Sequence, residues 1–189
     1  MSLIITEYYL KQNSIVNENS DMKIITPTII LVQDIYIHPI LGSDLYDEIQ
    51  TQITTSTVGT VDAVSAANVT LLDNYILPTM LWFILCECTP VFKYRYMNKG
   101  VMVKNSENSA PADLAEIKFL MDRWKNNAEV YAERCTAFLK CNTDTYPLYC
   151  ANPDGNDIKP NKTNYTNSLY LDPDSWTPGG LDIDYGRNQ

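Results

Sequence analysis

Glycine and histidine are scarce in this 189-residue chain, with seven glycines and a single histidine, His38. No GxGxxG or GxxxxGK[ST] segment occurs, which excludes the commonest glycine-rich phosphate cradles. Basic residues are also few, 14 Lys+Arg against 23 Asp+Glu, giving a formal charge of -9 and a pI near 4.5. A free nucleic-acid-binding domain is ordinarily basic, so this balance argues against general DNA coating. No uninterrupted apolar run reaches the about 20 residues that a membrane helix needs. The longest, YILPTMLWFILCECTPVF at 75–92, contains Pro78 and is interrupted by Glu87. Five cysteines (86, 88, 135, 141 and 150) are an odd count. The opening MSLIITEYYLKQ has no secretory pattern, and a reduced compartment is expected.

The apolar content of 45% is enough for a core, and its spacing is helical. ITEYYLKQ predicts a short helix capped by Thr6. In DMKIITPTIILVQDIYI, residues Ile25, Ile29, Val32 and Tyr36 share one helical face. Its start is open between Asp21 and Thr26, the latter followed by Pro27, a favoured first helical residue. Pro39 is expected to stop this helix, Gly42 to turn sharply with positive φ, and Ser43 or Asp44 to cap a short next helix. TTSTVGTVDAVSAAN reads as a polar connection. The 71–89 region predicts a helix apolar on all sides and buried at the centre, with Pro90 at its end. DLAEIKFLMDRWKNNAEVYAERCTAFLK (113–140) is the clearest helix. Leu114, Ile117, Met121, Trp124, Ala128, Tyr131, Cys135 and Phe138 form one seam, Asp113 and Glu116 make a capping box, and Lys118 can pair with Asp122.

Between the last two helices, FKYRYMNKGVMVK alternates like an irregular hairpin. It carries Lys93, Arg95, Lys99 and Lys104, read either as a projecting basic loop for an acidic partner or phosphate backbone, or as a solvated hairpin. Beyond Asn142 the helical pattern stops. Residues 143–189 hold five prolines and no apolar periodicity, yet retain Tyr146, Tyr149, Tyr165, Tyr170, Trp176 and Tyr185. These aromatics read as interface anchors on another surface, or as an arm folded back over its own domain. The expected organisation is a 1–142 helical domain and a 143–189 arm.

Catalytic chemistry finds little to stand on. His38, with Asp44, Asp47 and Glu48 nearby in YIHPILGSDLYDEI, sits at an apparent helix end, where a histidine also suits the helix dipole. The two thiols of CEC, Cys86 and Cys88, lie about 200° apart on a helix and do not readily share one ion. No catalytic, cofactor or metal residues are assigned, and no enzyme activity is expected.

The order of elements, and above all QDIYIHPILGSDLY, resembles the small helical head–tail connector (adaptor) proteins of tailed bacteriophages. The chain is most similar to those of phages of Bacteroides-type hosts, including the crAss-like group. The resemblance covers about residues 3–142 and leaves the arm unmatched. It implies an all-α bundle in a virion neck, assembled as a ring of twelve copies beneath the portal. Such a ring extends the DNA channel and meets other neck or tail proteins, with no membrane and no cofactor. The alternative from the residues alone is a small helical cytosolic binding or regulatory protein that uses its C-terminal arm.

Overall fold

The computed structural model describes residues 2–57, 64–98, 100–103, 113–149 and 158–160. Five α-helices dominate them: α1 (Glu7–Asn13), α2 (Met22–Leu41), α3 (Ser43–Thr57), α4 (Ala66–Lys93) and α5 (Leu114–Cys141). A two-stranded antiparallel hairpin, β1 (Tyr94–Met97) and β2 (Gly100–Val103), separates α4 from α5 and pairs Tyr94 with Val103 and Met97 with Gly100. The fold is therefore all-α, with a hairpin where the alternating residues predict one.

Helix starts follow local chemistry. Thr6 Oγ1 accepts from the Tyr9 N–H at 3.2 Å, and Asp21 Oδ1 accepts from the Lys23 N–H at 3.0 Å. Asp21, not Thr26, thus caps α2, which places Pro27 inside the helix on an exposed turn. Ser65 Oγ accepts from the Asn68 N–H at the start of α4. At α5 both arms of the Asp113–Glu116 capping box form. On its polar face Lys125 and Glu129 pair at 3.9 Å, whereas the expected Lys118–Asp122 pair does not form.

Pro39, expected to stop α2, lies inside it, as Pro78 and Pro90 lie inside α4. Proline lacks the N–H that an α-helix needs, and its ring collides with the carbonyl four residues back. In α2 the turn Gln33–Ile37 widens to π geometry, with His38 N–H donating to the Gln33 carbonyl, and the helix resumes through Pro39 to Leu41. In α4 the turn Leu72–Ile76 does the same, with Leu77 N–H donating to the Leu72 carbonyl ahead of Pro78. The local sequences match: QDIYIHP and LDNYILP share Asp, Tyr, Ile and Pro in the same places. Each Ile is buried (Ile37, Ile76), and each Tyr stacks on an aromatic of a neighbouring helix, Tyr36 on Phe83 at 4.0 Å and Tyr75 on Phe138 at 4.1 Å. Pro90 falls in the last turn of α4, where the helix runs on to Lys93.

α4 is the central helix. It packs against α2 through Phe83 and Glu87, whose Oε1 accepts from the Tyr36 hydroxyl at 2.7 Å. It packs against α5 through Trp82, stacked on Trp124 at 5.3 Å, and through Cys86, which reaches the Met121 carbonyl. These pairings run antiparallel, so α2, α4 and α5 form an up-down-up layer. By length and hydropathy α2 and α4 would each suffice to cross a membrane. In this fold 44% and 61% of their most apolar windows are buried, which fits α4 as the core element. The seam of α5 is buried at Ile117, Ala128 and Cys135, widened by Ala132, Thr136 and Leu139, while Leu114 at its start is exposed.

The N-terminal segment is clamped onto the bundle. Gln33, fully buried, accepts from the Ile4 N–H at 3.0 Å and donates to the Ser2 carbonyl at 3.1 Å. Ser2 N–H donates to Gln50 Oε1 on α3 at 2.9 Å. Buried Asn68 is satisfied by Gln52 of α3 at 2.9 Å, which also donates to Glu48 at 2.7 Å.

The expected boundary at Asn142 needs correction. Tyr146 and Tyr149 are buried in this chain's own core, 3% and 0% exposed. The Tyr146 hydroxyl donates to the Ala67 carbonyl at 2.7 Å, and its ring meets Phe138 edge-on at 5.8 Å. Two aromatics beyond the last helix can thus complete a core without any periodicity, because a turn at 142–145 folds the chain back, Tyr146 onto α4 and α5 and the Pro147–Tyr149 turn onto α3. Truncation after Asn142 should therefore destabilise the domain by about 3 kcal/mol or more, the cost of losing large buried aromatics. Truncation after Pro160 retains both tyrosines. Denaturant unfolding of the two truncations side by side tests this, and equal midpoints would show that the segment adds nothing to the core.

Candidate functional site

The joint between α2 and α3 gathers the residues with the strongest chemical character. Gly42 has φ +76° and ψ 158°, a region essentially restricted to glycine, and is the one described residue with positive φ. The sharp turn lets α3 begin at once with Ser43. The C-terminal segment closes over it: Ser43 N–H donates to the Ile158 carbonyl at 3.0 Å. A Cβ added at Gly42 would stand 2.7 Å from Cγ and Cδ of Pro160.

His38 is half-buried on the last turn of α2. Its ring stacks on Tyr46 at 4.4 Å, and its Nε2 lies 2.9 Å from Ser43 Oγ. A hydrogen-bonded Ser–His pair is the starting geometry for an activated serine. Ser43, however, is only 4% exposed, beneath the 158–160 segment. The acids that neighbour His38 in sequence, Asp44, Asp47 and Glu48, all lie on α3. Asp47 is exposed, and Glu48 turns to Gln52 and Asn68. The joint thus places a histidine and a serine in mutual contact as a closed corner. The Tyr46 phenol beside it is held above its ordinary pKa by burial.

Cys86 and Cys88 diverge as the helical spacing predicts. Cys86 turns toward α5, whereas Cys88 is packed near Thr28 on α2. Among the described residues no three His, Cys, Asp or Glu side chains converge as a metal site. Burial pushes the thiols of Cys86 and Cys88 up to about 11 and that of Cys135 up to about 12. Cys141 is exposed.

Of the basic-loop residues, Lys93 closes α4 with its Nζ 5.5 Å from the Tyr94 ring centroid, and Arg95 lies on β1 opposite Met102. Lys99 and Lys104, and the side chain of Arg95, lie outside the described residues. For Tyr146 and Tyr149, of the two readings, anchors on another surface or an arm folded back over its own domain, the second holds: both are core residues. Tyr165, Tyr170, Trp176 and Tyr185 fall outside the described residues. The clamp by Gln33 and the cover by Ile158 and Pro160 were missed in sequence. The repeated D-x-Y-I-x-P pattern, 39 residues apart, is the signal that marks both π turns.

A family model described as "Family of unknown function (DUF6712)" matches residues 37–159. The match opens one residue before His38 and ends within the segment that covers Gly42, so it spans the joint and runs past Asn142. No curated protein and no solved structure matches the chain.

Two outcomes follow from this geometry. Gly42→Val should cost about 2 kcal/mol or more, from backbone strain together with the Pro160 contact. His38→Gln keeps a hydrogen-bonding group for Ser43 and should cost under about 1 kcal/mol. Thermal unfolding of both variants checks the ranking, and equal losses would show that the histidine matters as much as the turn. Separately, a maleimide should label Cys141 in the folded chain while Cys86, Cys88 and Cys135 react only on unfolding. The raised thiols leave stability unchanged below pH about 9, the unfolded value, and lower it as pH climbs toward 11 and 12. Mass mapping of labelled peptides and melting curves across that range test both statements.

Proposed function

This chain belongs to the DUF6712 family of unknown function, and we propose that it is a structural subunit of a phage neck ring. In this reading it docks on the portal, extends the channel for DNA and joins head to tail. It is made in the host cytoplasm and resides at the head–tail interface of the virion. The observation that carries the reading concerns QDIYIHPILGSDLY, the segment with the strongest likeness to head–tail connectors. That segment forms the π turn, the Pro39 step and the Gly42 corner. The likeness therefore rests on the joint that sets the angle between α2 and α3, not on surface composition.

Two further properties support it. Helices held by stacked aromatics and a buried glutamine clamp make a stiff unit suited to a load-bearing ring. A net charge of -9 suits a channel wall, because carboxylates repel passing phosphates and prevent DNA from sticking. The basic residues at the hairpin, Lys93, Arg95, Lys99 and Lys104, are then set apart as contacts to an acidic partner surface such as the portal.

Native mass measurement and negative-stain imaging of the purified protein, alone and with portal, test the reading. The expected result is a closed ring, twelve copies by the resemblance, that forms alone or on the portal. A protein that stays monomeric in both settings sinks it. Neutralising the four hairpin cations together should weaken portal docking and flatten its salt dependence at unchanged melting temperature, since exposed charges steer association more than they stabilise folds.

A further inference from the structure

Among the described residues, two apolar surfaces lie uncovered toward the end where α4, the hairpin and the first turns of α5 meet. The first is a groove of about 380 Å³ between the N-terminal half of α2 and the last turns of α4. Ile24, Pro27, Leu31 and Val91 line it, and Lys23 and Glu87 supply one charge of each sign at its edges. Leu31 and Val91 are 41% and 37% exposed. The second surface is the side of α5 turned away from α4. Phe119 and Val130 project there, 65% and 56% exposed. They are about three turns apart and so share one stripe, opposite the buried Ile117, Ala128 and Cys135.

These surfaces cannot meet within one molecule. Phe83 and Glu87 of α4 turn toward α2, whereas Trp82 and Cys86 turn toward α5, so α4 stands between groove and knob. Resting on the ring reading above, we propose that they are the two sides of one heterologous contact between copies of this chain. Phe119 of each copy seats in the α2–α4 groove of the next. Charge complementarity selects a second copy as the occupant. Asp122 and Arg123 lie one turn beyond Phe119 on its own side of α5, and they present to the groove the opposite signs to Lys23 and Glu87. A contact that joins two different patches repeats by rotation and closes into a ring when the rotation divides the circle. One large exposed aromatic entering an apolar slot is also the usual form of an energetic anchor.

The test uses the full chain with Phe119→Ser and Leu31→Asp, two exposed positions where folding should survive, as circular dichroism will report. Sedimentation velocity over a concentration series, with and without portal, should show each variant self-associating at least about tenfold more weakly than wild type. An equal mixture of the two should form pairs and stop there, because only the Phe119 of one variant and the groove of the other remain intact. A second pair guards against local damage: Lys23→Glu and Asp122→Lys should each weaken assembly, and the two combined in one chain should restore it. If every variant forms rings as wild type does, the contact lies elsewhere and the ring reading stands. If wild type itself stays monomeric, alone and with portal, both fall.

Discussion

A proline ring in mid-helix leaves one carbonyl without a donor and pushes against it, and this chain places that problem in the two helices that define its core. The response is the same in both: a widened turn immediately before the proline, which moves the offending carbonyl aside and lets the helix continue. The residue pattern around each turn then has fixed duties. The isoleucine is buried beneath the wide turn, the aspartate stays in water, and the tyrosine swings onto the neighbouring helix to stack. Helix continuity and helix–helix contact therefore depend on one local solution used twice. Tyr36 ties α2 to α4, and Tyr75 ties α4 to α5.

The ends of the chain complete what the helices leave open. Gln33 lies inside the first wide turn and spends both ends of its amide on the backbone of residues 2 and 4, which makes its burial affordable. At the other terminus, Tyr146 fills the gap between the start of α4 and the end of α5, the Pro147–Tyr149 turn packs against α3, and Ile158 and Pro160 close the corner at Gly42. This closure explains why the histidine and serine of the corner face one another yet are covered. The matched family region likewise extends beyond the last helix.

The fold is legible in the sequence where local chemistry decides. The caps at Thr6 and Asp113, the seam of α5, the central burial of α4, the hairpin and the positive φ of Gly42 all follow from residue type and spacing. It is not legible where a rule about one residue meets a tertiary alternative. Pro39 and Pro90 carry the ordinary signal for a helix end, but a π turn absorbs the first, and the second costs only one bond in a terminal turn. Periodicity was silent for 143–160, because a segment that contributes two rings and a proline to another element's core needs no repeat of its own. The acids near His38 keep to one side of α3, at i, i+3 and i+4, but Asp47 lies in solvent and Glu48 is taken up by Gln52 and Asn68. The doubled D-x-Y-I-x-P pattern was legible all along as a repeat, though its meaning depends on knowing how a helix accommodates proline.

A π turn is also one surplus residue stored in a helix. Removing a residue from an ordinary stretch of α2 would rotate everything beyond the cut by about 100° and carry buried side chains into water. Removing one from Gln33–Ile37 would only tighten the wide turn to normal pitch and leave the faces on either side where they were. It would also bring the Pro39 ring back against a carbonyl, so such a shortening is tolerable only together with loss of the proline. The two wide turns are thus the places where this bundle can change length by one residue without changing its architecture, and in each the proline downstream is what holds the longer form.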